Sequence, residues 1–296
     1  MSLGVVDHFS QTLATLVRVN PPTKIKPLNT LSTSAATAQA MLLAAGRGER
    51  MRPLTDSTPK PLLQVQGKPL MQWPLEAMAR AGLQQVLINT AWLGEQIESA
   101  FGGHFTPVVE PRMGADALDA TTVHLLYSNE GRDFGGALET AGGIVRALPL
   151  LDAVFWVAAG DVFAPEFVFA ADAFEQLKAS PFLAHIWLVP NPAHNPRGDF
   201  GLSAEGLALN TAKPISGAET PTPVTPTYTF STIALYKRAF FEADWCPIPA
   251  GNPKGVKAPL AAMLRAAMDR GLVSASLYEG LWVDVGTPER LAQLNA

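Results

Sequence analysis

The most chemically distinctive part of the sequence follows an apolar run at residues 41–45, which predicts a buried strand. Gly46 and Gly48 come directly after this run and predict a tight loop whose backbone an anionic ligand can approach closely. Arg50 and Lys60 follow, and Lys60 stands between two prolines. Backbone N–H groups and fixed cations neutralise phosphate oxygens, so this stretch predicts a polyphosphate site.

Glycine loops after strands also occur as ordinary turns, and this loop does not match the known nucleotide-binding fingerprints. The dinucleotide fingerprint is poorly matched, because Met51 occupies the position of its last small residue. A Walker A loop is excluded, since no Gly-Lys-Ser or Gly-Lys-Thr follows. We therefore rank a dehydrogenase with a Rossmann site low and expect no NAD(H) binding.

Two aspartates stand at the ends of apolar segments that are far apart in the sequence. Asp161 follows residues 157–160, and Asp284 lies in the segment Trp-Val-Asp-Val-Gly-Thr at 282–287. An isolated aspartate in such surroundings is unfavourable unless it is paired or binds a metal. It can also cap a loop or the next helix, so the residues alone leave both roles open.

Strands and helices alternate along the chain from residue 41 onward. The predicted strands are 41–45, 85–89, 123–127, 153–157, 184–189, 228–236 and 281–285. The predicted helices are 71–81, 93–101, 140–148 and 258–270, with a short antiparallel strand at 199–202 and a surface loop at 210–227. This alternation predicts an α/β fold with a mostly parallel sheet between two layers of helices. Ligands of such sheets lie beyond the carboxyl ends of the strands, where Gly46 and Asp161 are expected.

The composition excludes several classes of protein. With 296 residues, 48% of them hydrophobic, the chain can form one large α/β domain or two small ones. A net charge of -4 gives no support to nucleic-acid or membrane binding. The single cysteine, Cys246, excludes an internal disulfide and a cysteine-based zinc site, which fits a cytoplasmic protein.

The extended motif around the glycine loop carries a resemblance to a known family. Leu-Ala-Ala-Gly-x-Gly-x-Arg-Met, Pro-Leu-Thr and Pro-Lys-Pro-Leu follow one another at residues 43–62. This string resembles the signature of sugar-1-phosphate nucleotidyltransferases. The resemblance runs from about residue 40 to 294 and implies a three-layer α/β/α, Rossmann-like fold of the glycosyltransferase-A-like type. We expect the nucleotidyltransferase domain at 40–296 and a disordered arm at 1–39.

The resemblance also implies a role for individual residues. The expected catalytic residues are Arg50, Lys60, Asp161 and Asp284, of which the two aspartates bind Mg2+. The expected nucleotide-binding residues are Gly46, Gly48, Glu49, Arg50 and Lys60, with the backbone of Glu130 and Gly131 against the base. The expected sugar-phosphate-binding residues are Glu139, Ala159 and Asp199. Ala159 departs from the family, which usually has asparagine before this Gly-Asp pair.

Several other stretches are similar to one branch of the family, the N-acetylmuramate α-1-phosphate uridylyltransferases. They include residues 88–94, 138–144, 191–194, 197–200 and 282–290. The resemblance implies Mg2+-dependent transfer of UMP from UTP to N-acetylmuramate 1-phosphate, a step of cell-wall recycling. The muramate carboxylate then requires a cation, for which Arg197 is the candidate.

Other functions stay open at this point, because the loops at 106–121, 132–137 and 210–227 are longer than the family pattern. One alternative is a guanylyltransferase for mannose 1-phosphate or a thymidylyltransferase for glucose 1-phosphate. Another is a catalytically silent protein that binds nucleotide sugars. The joint presence of Arg50, Lys60, Asp161 and Asp284 argues against a silent protein, which does not need all four residues.

Overall fold

The structure is a computed structural model and describes residues 38–107, 121–211 and 226–296. The predicted arm at 1–39 lies outside these residues, apart from its last two, which begin the first strand. Most of the predicted long loops at 106–121 and 210–227 also lies outside them. Within the described ranges, no helix combines the length and apolar character that crossing a membrane requires.

The order of the secondary-structure elements follows the predicted alternation. The strands are β1 (Ala38–Ala44), β2 (Gln64–Val65), β3 (Lys68–Pro69), β4 (Gln85–Thr90), β5 (His104–Phe105), β6 (Val123–Asn129), β7 (Leu151–Ala159), β8 (Val162–Phe163), β9 (Ala184–Val189), β10 (Phe200–Leu202), β11 (Ala208–Leu209), β12 (Thr227–Lys237), β13 (Val273–Leu277) and β14 (Val283–Asp284). The helices are α1 (Leu54–Ser57), α2 (Gln72–Arg80), α3 (Gly94–Phe101), α4 (Glu130–Phe134), α5 (Glu139–Ala147), α6 (Ala171–Ala179), α7 (Leu260–Met268) and α8 (Pro288–Leu294).

One large sheet organises the described residues. Its strand order is β11-β10-β12-β7-β1-β4-β6-β5, and β9 pairs with β12 and β13. The four central strands β7, β1, β4 and β6 are parallel, whereas β12 runs antiparallel to β7. The predicted α/β fold is confirmed, with parallel pairing concentrated in the centre of the sheet.

Helices cover both faces of this sheet, as the alternation of buried side chains requires. On β1, Met41 packs into one core cluster and the next residue, Leu42, packs into the other. The first cluster contains Ile144 of α5 and Leu264 of α7. The second contains Leu75 of α2, Ile97 of α3 and Leu177 of α6. The protein is therefore a three-layer α/β/α structure.

The strand order creates a crevice at the carboxyl ends of β1 and β7. From β1 the chain moves outward to β4 and then β6, and it returns to the other side of β1 with β7. Ligands of α/β proteins bind outside the sheet at such a reversal of strand order. Here β1 ends at Ala44, just before Gly46, and β7 ends at Ala159, just before Asp161. The topology thus brings the glycine loop and one candidate metal ligand to the same crevice.

A partly buried histidine outside this crevice should make the stability of the protein depend on pH. His185 of β9 packs against Trp187, with 4.5 Å between ring centroids, and its Nδ1 lies 2.9 Å from the Ser274 hydroxyl. Burial lowers the pKa of His185 to about 4. Between pH 6.5 and 4 the unfolded chain therefore binds a proton that the folded chain does not, so stability falls as the pH falls.

We expect His185→Gln to weaken this acid sensitivity. Wild type should lose about 2 kcal/mol more unfolding free energy than the variant between pH 7.5 and pH 5, measured from urea denaturation. His124→Gln, which changes an exposed histidine on β6, is the matched control and should behave like wild type. Equal losses in wild type and His185→Gln would contradict the prediction.

Candidate active site

A cavity of about 810 Å³ opens at the carboxyl ends of β1 and β7. Its lining includes most of the residues that the sequence predicted for the site. These are Gly46, Gly48, Glu49, Arg50, Lys60, Glu139, Ala159, Asp161 and Asp199. Three predicted residues, Asp284, Glu130 and Gly131, do not line it. The cavity therefore brings together segments that are widely separated in the chain.

The glycine loop is held in a conformation that a side chain would disturb. Gly48 has a φ of +67°, in the region that favours glycine. A Cβ atom at this position would lie 3.1 Å from Cβ of Lys60 and 3.2 Å from Cγ2 of Thr55. The Thr55 hydroxyl donates a 2.9 Å hydrogen bond to the Gly48 carbonyl oxygen. Thr55 thus fixes the loop from behind, and the glycine lets Lys60 approach it closely.

Lys60 and Asp161 form an ion pair at the base of the cavity. Nζ of Lys60 donates to Oδ2 of Asp161 at 2.5 Å. The lysine side chain is 8% exposed and the aspartate side chain 38% exposed, so the carboxylate is the more accessible partner. Because Lys60 is largely shielded from water, its charge acts on neighbouring anions with little screening.

The backbone segments that carry Asp284 and Asp161 are adjacent. The pairing that brings them together is not the one that the sequence predicted. The short strand β14 pairs antiparallel with β8 in a separate ribbon, with Asp284 opposite Val162. The Val285 amide donates to the Asp161 carbonyl oxygen at 3.1 Å. We expected Asp284 at the end of a strand in the main sheet, and this part of the prediction is wrong.

The Asp284 side chain has two basic neighbours that the sequence did not single out. Its Oδ2 accepts a 3.1 Å hydrogen bond from Nη1 of Arg290 and lies 3.5 Å from Nε2 of His194. Arg290 belongs to α8, one helical turn beyond the Val-Asp-Val-Gly-Thr segment. Arg290 therefore fixes the orientation of the Asp284 carboxylate.

The two aspartates offer the donor set of a hard cation site that a phosphate completes. The described residues contain no cluster of three or more His, Cys, Asp or Glu side chains that could hold a metal. Mg2+ is commonly bound through one or two carboxylates, with phosphate and water oxygens as its other ligands. Asp161 and Asp284 fit this pattern, since both are oxygen donors on adjacent backbone segments next to a cationic loop.

Glu130 connects three elements behind the cavity. Its carboxylate accepts 2.7 Å hydrogen bonds from the Asn89 side chain and from the Leu138 amide. The side-chain oxygen of Asn89 in turn accepts from the Ala44 amide at 2.9 Å. Burial raises the pKa of Glu130. The Glu130 side chain thus ties the end of β1 to β4 and to the start of α5, while the predicted backbone contact of Glu130 and Gly131 with the base stays a prediction.

Gly131 packs too closely against the chain after β4 to accept a side chain. A Cβ atom there would collide with the Ala91 carbonyl oxygen and lie 2.9 Å from its carbonyl carbon. We expect Gly131→Ala to lower the free energy of unfolding by about 3 kcal/mol. Gly136→Ala, where a Cβ atom meets open space, is the control and should be neutral or slightly stabilising. Equal urea midpoints for the two variants would contradict the prediction.

The other end of the cavity contains Asp199 together with residues that the sequence did not single out. Oδ2 of Asp199 accepts from the Phe230 amide at 2.8 Å, and Oδ1 accepts from the Asn195 side chain at 3.2 Å. Arg265 of α7 lines this end, whereas Arg197 is exposed and does not. The remaining lining residues here include Phe200, Phe230, Thr232, Tyr236, Leu260 and Leu264.

Thr232 adopts a rare conformation for a β-branched residue. Its φ is +62°, and it lies where the pairing of β12 with β9 is irregular, between Phe230 and Ala234. Such conformations persist only when their surroundings enforce them. Nothing in the sequence pattern distinguished Thr232 from the alternating strand residues around it.

The fold and the cavity define a class of enzyme that handles phosphorylated substrates. A glycine loop, a buried lysine and two adjacent aspartates meet at the reversal point of an α/β sheet, where nucleotides bind. Comparison with known proteins agrees, because residues 39–296 match the Nucleotidyl transferase family. The chain belongs to this family, whose members generally use a divalent metal.

Two relatives are similar to this chain over nearly their whole length. An N-acetylmuramate alpha-1-phosphate uridylyltransferase of Neisseria meningitidis serogroup B is 42% identical over 87% of this chain and 97% of its own. An enzyme of the same description from Caulobacter vibrioides is 30% identical over 86% of this chain and 95% of its own. A solved structure of a putative glucose-1-phosphate thymidylyltransferase from Bacillus anthracis superposes with a TM-score of 0.59 at 19% identity, covering 87% of this chain and 93% of that one. The last similarity concerns the fold alone.

Proposed function

We propose that this protein transfers UMP from UTP to N-acetylmuramate 1-phosphate, giving UDP-N-acetylmuramate and pyrophosphate. The observation that carries the proposal is the 42% identity to a uridylyltransferase of this specificity over 97% of its length. The cavity supports it, because the loop, lysine and aspartates of the shared motif line it or border it. The predicted cytoplasmic location and the arm at 1–39 stay predictions.

The reaction mainly requires that negative charge be neutralised and that the two substrates be aligned. An oxygen of the sugar phosphate attacks the α-phosphorus of UTP, the bond to the bridging oxygen breaks, and pyrophosphate leaves with the bonding electrons. Both substrates are anionic, and negative charge moves onto the departing phosphates. The protein must therefore neutralise charge and hold the attacking oxygen in line, and it needs no covalent nucleophile.

Each residue of the phosphate end has a proposed task in this reaction. The backbone amides of Gly48 and Glu49 hold the triphosphate, and Arg50 holds the phosphates that leave. Lys60 neutralises the α-phosphate and the incoming sugar phosphate, which compete with Asp161 for its ammonium group. This competition favours binding of both substrates before the ion pair opens, since separating the pair without a replacement charge is costly.

Asp161 and Asp284 are the residues that we propose to hold Mg2+. When bound, the ion supplies positive charge at the phosphate oxygens and polarises them. Arg290 keeps the Asp284 carboxylate oriented, and Lys60 does the same for Asp161. Glu139, Ala159 and Asp199 also line the cavity, and we assign them to binding of the sugar phosphate. Ala159, in place of the usual asparagine, removes one side-chain hydrogen bond there.

The test is pyrophosphate release with Mg2+ and a matrix of substrates. UTP, dTTP, GTP, CTP and ATP are each combined with the 1-phosphates of N-acetylmuramate, N-acetylglucosamine, glucose and mannose. We expect the highest kcat/KM for UTP with N-acetylmuramate 1-phosphate. A preference for GTP with mannose 1-phosphate, or for dTTP with glucose 1-phosphate, would overturn the proposal. No release from any pair by folded protein would indicate a silent nucleotide-sugar-binding protein.

A further inference from the structure

The sugar end of the cavity contains a cation that the phosphate chemistry does not use. Arg265 of α7 is partly buried and lines the cavity. Its Nη1 donates to the Asn210 side-chain oxygen at 2.8 Å, and its Nη2 donates weakly to the Asp199 carbonyl oxygen at 3.3 Å. Both acceptors are neutral. A guanidinium has five N–H donors, so Arg265 keeps its full charge and spare donors for a ligand.

No carboxylate among the described residues forms an ion pair with Arg265, which distinguishes it from Lys60. Lys60 is paired with Asp161 at 2.5 Å. Arg50 belongs to the glycine loop at the phosphate end. The nearby Asp199 uses both carboxylate oxygens to accept hydrogen bonds from Phe230 and Asn195. Arg265 therefore has no direct ion-pair partner among the described residues at this end of the cavity.

The position of the Arg265 guanidinium is fixed before any ligand arrives. Its central carbon lies 4.9 Å from the ring centroid of Phe200, which also lines the cavity. Stacking on this ring and the bonds to Asn210 and Asp199 restrict its rotamers. A guanidinium held in this way binds a carboxylate through two parallel hydrogen bonds at low entropic cost.

We propose that Arg265 is a specificity-determining residue that binds a carboxylate carried by the sugar. The inference rests on the proposed function, in which the lactyl carboxylate of N-acetylmuramate 1-phosphate is that group. It replaces Arg197, the candidate from the sequence, which is exposed and does not line the cavity. The site thus recognises a sugar with two anionic groups, its phosphate at the Lys60 end and its carboxylate at the Arg265 end.

The test compares two pairs of sugar 1-phosphates, each with one acidic and one neutral member. The first pair is N-acetylmuramate 1-phosphate and N-acetylglucosamine 1-phosphate, and the second is glucuronate 1-phosphate and glucose 1-phosphate, each with UTP and Mg2+. We expect Arg265→Met to lower kcat/KM for N-acetylmuramate 1-phosphate roughly 10- to 100-fold, mainly through KM. The value for N-acetylglucosamine 1-phosphate should change by less than about threefold. Arg265→Lys should fall between wild type and Arg265→Met, because an ammonium lacks the two-pronged geometry.

A matched variant separates this effect from loss of an arginine in general. Arg270 lies two residues beyond the end of α7, stacks on Trp245 at 4.8 Å and pairs with Asp244 outside the cavity. Arg270→Met should leave kcat/KM unchanged for both the acidic and the neutral sugar phosphates. Thermal unfolding checks that each variant is folded, and Arg265→Lys carries the test if Arg265→Met does not fold.

The outcomes for the inference and for the proposed function differ. Equal losses with acidic and neutral sugars, or no loss with either, would overturn the role of Arg265 while leaving the uridylyltransferase activity intact. If the wild-type enzyme prefers the neutral sugar in each pair, both the role of Arg265 and the proposed function would be overturned. A preference for glucuronate over muramate, lost in Arg265→Met, would overturn the proposed substrate but support Arg265 as the carboxylate-binding residue.

Discussion

Replacing Asp284 by alanine is expected to lower kcat for pyrophosphate release by about 10³-fold or more. Asp284 and Asp161 are the carboxylates that we propose as ligands of Mg2+, so the variant leaves a single carboxylate to bind the ion. The protein should remain folded, because the Asp284 side chain is 27% exposed and its partner Arg290 can turn toward water. The loss of this pair should cost about 1 kcal/mol of stability.

The measurement is a titration of initial rates with Mg2+ at saturating substrates, together with Mg2+ binding to the UTP complex by calorimetry. Asp244→Ala is the matched control, since it also breaks an aspartate–arginine pair, at 2.8 Å with Arg270, outside the cavity. The control should keep the wild-type rate and metal requirement. Unchanged kcat in Asp284→Ala would remove Asp284 from the metal site.

A second variant distinguishes metal binding from a purely structural pairing. If Asp284 served only to hold Arg290, then Arg290→Met would lose as much activity as Asp284→Ala. We expect Arg290→Met to be affected less and to recover at higher Mg2+ concentration. In Arg290→Met the Asp284 carboxylate is still present and is only less well oriented. Loss of a residue that orients a metal ligand typically changes metal affinity by about 10- to 100-fold.

Most residues that the sequence placed in the cavity share one property: their location follows from local position in the chain. Gly48 and Asp161 follow soon after apolar segments that mark strand ends, whereas Lys60 was identified from the Pro-Lys-Pro-Leu part of the motif. Strand ends of one parallel sheet meet at one edge, so their convergence could be predicted without coordinates. The long strands β1, β4, β6, β7, β9 and β12 lie within a few residues of their predicted bounds, since each has a clear apolar or alternating pattern.

The residues that the sequence missed depend on packing between distant elements. Arg265 lies in a helix predicted at 258–270, and the pattern of that helix does not reveal which polar position faces the cavity. Glu130 was expected to present only its backbone, but its side chain carries a buried hydrogen-bond network with Asn89. Strand β13 and helix α6 were missed because their sequences, VSASL and ADAFEQLKA, contain few large apolar residues.

The remaining large effect concerns Lys60, whose replacement by alanine we expect to lower kcat by about 10²- to 10³-fold while KM for UTP changes little. A charge in water would be screened, but this side chain is 8% exposed and lies against Gly48 of the phosphate-binding loop. Its effect should therefore grow as negative charge builds up around the α-phosphate in the transition state. Arg50, which is exposed, should contribute more to UTP binding than to kcat.

Steady-state kinetics with each substrate varied in turn provide the measurement, and Lys178→Ala, which removes an exposed lysine of α6, is the control. Lys60→Arg should restore little activity, because the larger, planar guanidinium does not reproduce the compact ammonium that lies 2.5 Å from Asp161 on a side chain only 8% exposed. If Lys60→Ala instead changes only KM for the sugar phosphate, the lysine positions that substrate and does not stabilise the transition state. In that case the Lys60–Asp161 ion pair would matter only in the enzyme without substrates. Arg50 and the metal would neutralise the charge of the transition state.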